Sequence, residues 1–136
     1  GFRNGLRDHD IELPPELIVA GDFSRDGGAH AALQLIERDP LLTAIFALND
    51  VMAVGVLAAL RARGVSVPSD VSVVGFDDIP LAQDVTPTLS TVRVPMVAMG
   101  ARALTLALET QTPELRVEHL PTEVVLRAST GPARHD

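Results

Sequence analysis

The sequence predicts an α/β domain, a mostly parallel sheet with helices on both faces. Three observations carry that expectation. Short apolar runs rich in β-branched residues alternate with longer stretches of helical periodicity, the pattern of successive βαβ units. Three of these runs end in polar residues, at Asp22, Asn49-Asp50 and Asp77-Asp78. In open α/β sheets, ligands gather beyond the carboxyl ends of the strands. Finally, 136 residues with 46% hydrophobic content suffice for one domain with a buried core.

The elements follow in order. GFRNGLRD reads as a helix entered part-way. Residues 17–20 form a buried-strand candidate that ends in Gly21-Asp22-Phe23. Ser24 or Asp26 opens a helix whose amphipathic pattern covers 29–38, with Pro40 beyond its end. Residues 43–48 are the second strand. Asn49-Asp50 caps the next helix, which runs to Arg63 and stops at Gly64. Asp50 is the better cap candidate, which leaves Asn49 free for a cleft. Residues 71–76 are a third strand, 77–82 a turn or short helix, and 89–94 a fourth strand. Pro95 starts a helix to about Glu109. Residues 117–120 are extended, 124–127 form the last strand, and the tail after Ser129 is expected to fray.

Two helices are too apolar for an ordinary sheet cover, which is apolar along one stripe only. Residues 51–60 carry no polar side chain at all. With Met52, Ala53, Val56 and Leu60 against the sheet, Val54, Leu57 and Ala58 are left on the outer side as an interface stripe. The helix beginning after Pro95 poses the same question.

Composition narrows the function classes. The net charge is -7, and all eleven basic residues are scattered arginines. Nothing resembles the cationic stripe that neutralises phosphates, so this piece is not expected to bind DNA itself. Cysteine is absent, which removes disulfides and thiol chemistry. His9, His30, His119 and His135 lie far apart, without metal-ligand spacing. No apolar run is long enough to span a bilayer. No P-loop, GxGxxG or Ser-His-Asp arrangement is present. Asp22, Asp77 and Asp78 are the candidate reactive groups at the sheet edge, and no base or electrophile accompanies them. No enzyme, cofactor or metal is therefore expected, although an Asp-Asp pair in isolation can ligate Mg²⁺.

A resemblance sharpens this. The segment TAIFALNDVMAVGVLAALRARGVSVPSDVSVVGFDDIP, continued by PTLSTVRVPMVAMGARAL and HLPTEVVLRASTG, resembles the LacI/GalR transcription regulators over nearly the whole chain. It implies the second lobe of a periplasmic-binding-protein-like domain, truncated at its N-terminus. In that family two α/β lobes are joined by three crossover strands and hold a small effector between them. The resemblance implies that a helix-turn-helix head, a hinge, a first lobe and the first strand of this lobe precede Gly1. It also implies that the helix over about 95–109 packs on that other lobe. By the same resemblance Phe23 stacks on the effector, Phe46 lines the cleft, Asn49 bonds effector hydroxyls and Asp77 accepts from hydroxyls or ring nitrogens. A sugar, sugar phosphate, nucleoside or purine suits such a set. Family dimers imply a homodimer contact through Val54, Leu57 and Ala58 with Leu81 and Val85, DNA contact only through the absent head, and a cytoplasmic location. A sugar-binding protein of a transport system is the alternative with the same fold.

Overall fold

The computed structural model describes residues 1–109 and 116–132. His135 lies outside the described residues. The elements are α1 (Phe2–Arg7), a 3-10 turn (Pro15–Leu17), α2 (Arg25–Arg38), β1 (Ala44–Phe46), α3 (Asp50–Ala62), β2 (Ser72–Val74), α4 (Leu81–Asp84), β3 (Thr91–Arg93), α5 (Met96–Leu108) and β4 (Glu123–Val125). The strands predicted at 43–48, 71–76, 89–94 and 124–127 are present but shorter than their apolar runs.

β1 pairs parallel with β2, with Ile45 opposite Val73. Parallel bridges Val74–Ser90 and Asp77–Arg93 carry the arrangement on to β3. β3 then pairs antiparallel with β4, with Val92 opposite Val124. The core lies where Ile45, Val73 and Leu89 meet Val56 and Leu60 of α3 and Ala32 of α2.

The 17–20 strand is corrected. Pro14 and Pro15 fold the chain into a 3-10 turn that takes in Leu17, and the residues after it have no ladder partner. An apolar run becomes a strand only beside a neighbour whose peptide groups it can pair.

Placement of α3 also differs from expectation at one residue. Met52, Ala53, Val56 and Leu60 are buried as expected, but so is Leu57, at 3% exposure. The segments around Val65–Val67 and Val85 cover that side. α2 lies directly on α3: a Cβ built on Gly55 would sit 1.8 Å from the Arg25 carbonyl oxygen, and one on Gly28 2.2 Å from that of Met52. Val65, Val67 and Val85 pack against the cluster that contains Leu57. Val54 and Ala58 stay partly exposed.

The described residues after Ser129 remain attached, and 133–136, the rest of the tail expected to fray, lie outside the described residues. The buried Ser129 hydroxyl donates to the Val73 carbonyl at 2.6 Å and accepts from the Ser90 N–H at 2.8 Å. Gly131 N–H still reaches the Ser72 hydroxyl, at 3.2 Å. By contrast α5 buries none of its residues; Val97 is 89% and Leu108 79% exposed.

Candidate functional site

The carboxyl ends of the strands converge on one edge. Asp50 N–H, at the end of β1, donates to the Phe76 carbonyl after β2 at 2.8 Å. Asp77 N–H donates to the Val92 carbonyl in β3 at 2.9 Å. The Asn49 side-chain amide reaches the Phe23 carbonyl at 3.4 Å. Phe23, Asn49 and Asp77 therefore share one rim: Asn49 and Asp77 stand beyond β1 and β2, and Phe23 is held beside Asn49 by the segment before α2.

Asn49 and Asp50 exchange the roles expected of them. Asn49 is the N-cap of α3: its Oδ1 accepts from the Met52 N–H at 2.7 Å. Asp50 is fully buried; its Oδ2 accepts from the Ile79 N–H at 2.9 Å and its Oδ1 from the Thr91 hydroxyl at 2.6 Å. The dipeptide alone could not decide this, since both side chains can cap. The buried donors arriving from β3 and from the loop after β2 decide it. Asn49 keeps one amide N–H beyond its bond to Phe23, because the amide nitrogen carries two.

Asp22 is occupied locally. Its Oδ1 accepts from the Ser24 hydroxyl at 2.6 Å and the Ser24 N–H at 3.0 Å, and those bonds, the hydroxyl's first, hold its pKa below the ordinary value. Ser24 in turn accepts from the Gly27 N–H at 2.9 Å and caps α2.

Three residues of the rim hold left-handed backbone: Phe23 at φ 61°, Asp77 at 114° and Asp78 at 58°. Non-glycine residues in that region cost on the order of 1–3 kcal/mol each and cluster where a side chain must be presented. Phe23 projects its ring with 62% of the residue exposed.

The Asp78 side chain is 6% exposed and bridges two guanidinium groups, Arg127 at 2.6 Å and Arg93 at 2.7 Å. Arg127 also donates to the Leu89 carbonyl at 2.8 Å, and Arg93 pairs with Glu123 at 2.7 Å. This cluster pins the loop after β2 to β3 and β4. The sequence presents Asp78 as a sheet-edge carboxylate and gives no role to Arg93. An arginine inside the apolar run of a strand was the available signal.

The adjacent carboxylates are thus set apart. Burial raises the Asp77 pKa, and the Asp50 charge adds to it. Burial would raise Asp78 too, but its bonds to Arg127 and Arg93 outweigh that and hold it low. Carbon-detected NMR titration is expected to show Asp77 protonating above the ordinary aspartate value and Asp78 below it. The signs for stability follow. The Asp78 contribution is complete above its unfolded pKa and is lost as pH falls through its lower folded value. The Asp77 penalty is present at neutral pH and is relieved as pH falls through its raised value. Identical titration of the two carboxyls would refute the assignment.

Phe46 shares an apolar slot beside β1 with Phe23 of the rim. Its ring stacks on Phe2, with centroids 4.6 Å apart. His9, His30 and His119 are exposed, and no group of three or more metal-ligating side chains occurs among the described residues. No helix of the described residues is long and apolar enough to cross a membrane.

An exposed aromatic, an amide and a partly buried carboxylate thus gather at the carboxyl edge of a parallel sheet, where open α/β folds hold ligands. The chain belongs to the periplasmic binding protein-like domain family, whose profile matches residues 1–130. Within that family its relatives are regulators of the LacI type. It is 35% identical over 132 residues to the HTH-type transcriptional repressor PurR of Vibrio atlanticus, covering 95% of this chain and 40% of the relative. It is 37% identical over 135 residues to the HTH-type transcriptional regulator DegA of Bacillus subtilis, covering 97% and 40%. Among solved structures it superposes on the transcriptional regulator CelR in complex with cellobiose, with a TM-score of 0.84, 37% identity and coverage of 94% and 40%. A LacI-type transcription regulator from Bifidobacterium animalis gives a TM-score of 0.86 at 31% identity, covering 96% and 48%. The chain spans about 40% of the length of the curated relatives it matches.

Proposed function

We propose that this chain is the effector-sensing and dimerising portion of a bacterial LacI-type regulator, and that its strand-end rim binds a sugar or related metabolite. Phe23 carries the reading. An exposed aromatic held at positive φ at the carboxyl edge of the sheet offers a flat apolar face, which suits the apolar face of a sugar ring. The spare Asn49 amide proton donates to a hydroxyl. The Asp77 carboxylate, to which no hydrogen bond is made among the described residues, accepts from one or two others. The cellobiose held by the structurally similar CelR supports a sugar. In the complete protein, a ligand that fits one arrangement of two lobes better than another shifts the equilibrium between them. DNA is contacted through a head outside this chain, α5 packs on the other lobe, and the cytoplasm is the working compartment. The relatives are regulators, which favours this over transport and over an enzyme.

The test is calorimetric titration of the complete regulator with a panel of mono- and disaccharides, nucleosides and purines. Phe23→Ala is expected to weaken the responding ligand at least tenfold, about 1.4 kcal/mol, with the fold intact because most of the residue is exposed. Undiminished affinity in Phe23→Ala would reject the stacking role.

The dimer surface proposed is the partly exposed stripe of Val54 and Ala58 on α3, continued by Leu81 and Val85. Val54→Asp is expected to shift the chain toward monomer in sedimentation, because an unpaired charge would be buried at a two-fold contact. Leu57 belongs to the core, and Leu57→Asp would unfold the chain rather than report on the contact. A Val54→Asp chain that stays dimeric would move the interface elsewhere.

A further inference from the structure

The loop after β2 holds two consecutive aspartates in left-handed backbone, Asp77 at φ 114° and Asp78 at φ 58°. Such conformations persist in non-glycine residues only where the surroundings over-determine them. Each residue of this loop is tied. The Phe76 carbonyl accepts from the Asp50 N–H at 2.8 Å, and the Asp77 N–H donates to the Val92 carbonyl at 2.9 Å. The Ile79 N–H donates to Asp50 Oδ2 at 2.9 Å. The Asp78 carboxylate, its side chain 6% exposed, accepts from Arg127 on Oδ1 and from Arg93 on Oδ2. The Asp77 carboxylate is the exception: no hydrogen bond reaches it among the described residues. Where it stands is therefore set by its neighbours.

The two guanidinium groups come from different strands. Arg93 ends β3, two residues before Pro95, the N-cap of α5, and Arg127 stands two residues beyond β4. β3 and β4 pair antiparallel, with Arg93 opposite Glu123. This ribbon leads to and from α5, which buries none of its residues. Charge-assisted bonds to a nearly buried carboxylate are short and strong, and these measure 2.6 Å to Arg127 and 2.7 Å to Arg93. One carboxylate thus fastens both strands of the ribbon to the residue next to Asp77.

We propose that Asp78 is a positioning residue: through Arg93 and Arg127 it fixes where the Asp77 carboxylate stands on the rim, and it makes that placement follow the β3–β4 ribbon. Its own carboxylate is taken up by the two arginines and nearly shut off from solvent, so it acts through Asp77 and not on a ligand. The state of Asp77 agrees with a held side chain. Burial and the Asp50 charge raise its pKa, and a carboxyl free to turn toward water would escape both. A shift of the ribbon then changes how well Asp77 meets a hydroxyl donor, and a donor drawn to Asp77 acts back on the ribbon, because such coupling is reciprocal. This role rests on the reading of Asp77 as the rim's acceptor.

The experiment needs no ligand. The titration of Asp77 is followed by carbon-detected NMR in the chain and in its Arg127→Gln and Arg93→Gln variants. Charge and position predict opposite signs. Removing a cation near a carboxyl raises its pKa by charge alone. Freeing the loop lets Asp77 turn toward water and away from Asp50, and its pKa falls toward the ordinary aspartate value. A fall in both variants is the expected result. Asp22, held low by its bonds from Ser24, is expected to keep its value. The Arg93 side chain is half-exposed, so Arg93→Gln decides the matter if Arg127→Gln does not fold. An Asp77 value that stays or rises overturns the positioning role. A fall in which Asp22 moves as well overturns it too, since that is general loosening. Because no ligand is present, this role and the rim's ligand binding, tested by calorimetry on Phe23→Ala, fail separately.

Discussion

Asp50→Leu is expected to leave the chain largely unfolded. Asp50 is fully buried and accepts from two donors, the Ile79 N–H at 2.9 Å and the Thr91 hydroxyl at 2.6 Å. Leucine has a similar branched shape but is larger and accepts nothing, so both donors lose their partner. A buried donor left without one costs about 1–3 kcal/mol. Two of them amount to a large share of the roughly 5–15 kcal/mol that separates native from unfolded chains. The position also resists rearrangement, because Gly75 leaves room for the carboxylate; a Cβ there would lie 2.2 Å from Asp50 Oδ1. Asp50→Asn keeps one acceptor and is expected to retain the fold at reduced stability. It should also lower the Asp77 pKa, since the Asp50 charge is one of the two causes raising it. Urea denaturation gives the stabilities, and the NMR titration gives the second effect. An Asp50→Leu chain as stable as the original would show that the network contributes nothing.

Gly55→Ala is expected to destabilise, against the usual trend. In an exposed helix interior the change stabilises by about 1 kcal/mol, because glycine has more backbone freedom to lose. Here the new Cβ would lie 1.8 Å from the Arg25 carbonyl oxygen and 2.8 Å from the Ala29 nitrogen. Both are backbone atoms of α2, so the helix itself must move. Overpacking of this kind costs about 1–3 kcal/mol, enough to reverse the sign. The start of α2 also carries Ser24 and, just before it, Phe23, so the displacement reaches the rim. Gly55→Ala should therefore lower the denaturation midpoint and shift the Phe23 resonances together. A raised midpoint would mean that α2 and α3 are not held in this contact.

Much of the fold was legible because local chemistry repeats it. Alternating apolar periodicities gave the order of strands and helices, Ser24 gave the start of α2, and Gly64 gave the end of α3. The rim was legible for a topological reason: polar residues directly after buried strands can only emerge at one edge of a parallel sheet. Resemblance then supplied candidate roles for the residues standing there. Arg93 was passed over because a lone charge in a strand gives no hint of which buried carboxylate it will meet.

By itself the sequence determined the α/β class, the order of elements and the edge on which Phe23, Asn49 and Asp77 gather, because these depend on periodicity and chain direction. Tertiary structure alone decided three further points. Residues 18–21 are not a strand, because strand identity depends on a neighbour. Asn49 rather than Asp50 caps α3, because donors from distant residues Ile79 and Thr91 claim the carboxylate. Leu57 is core rather than surface, because the segments around Val65 and Val85 close over a helix side that periodicity could only call apolar. Each depends on which groups from far along the chain arrive beside a residue, and that information is not local.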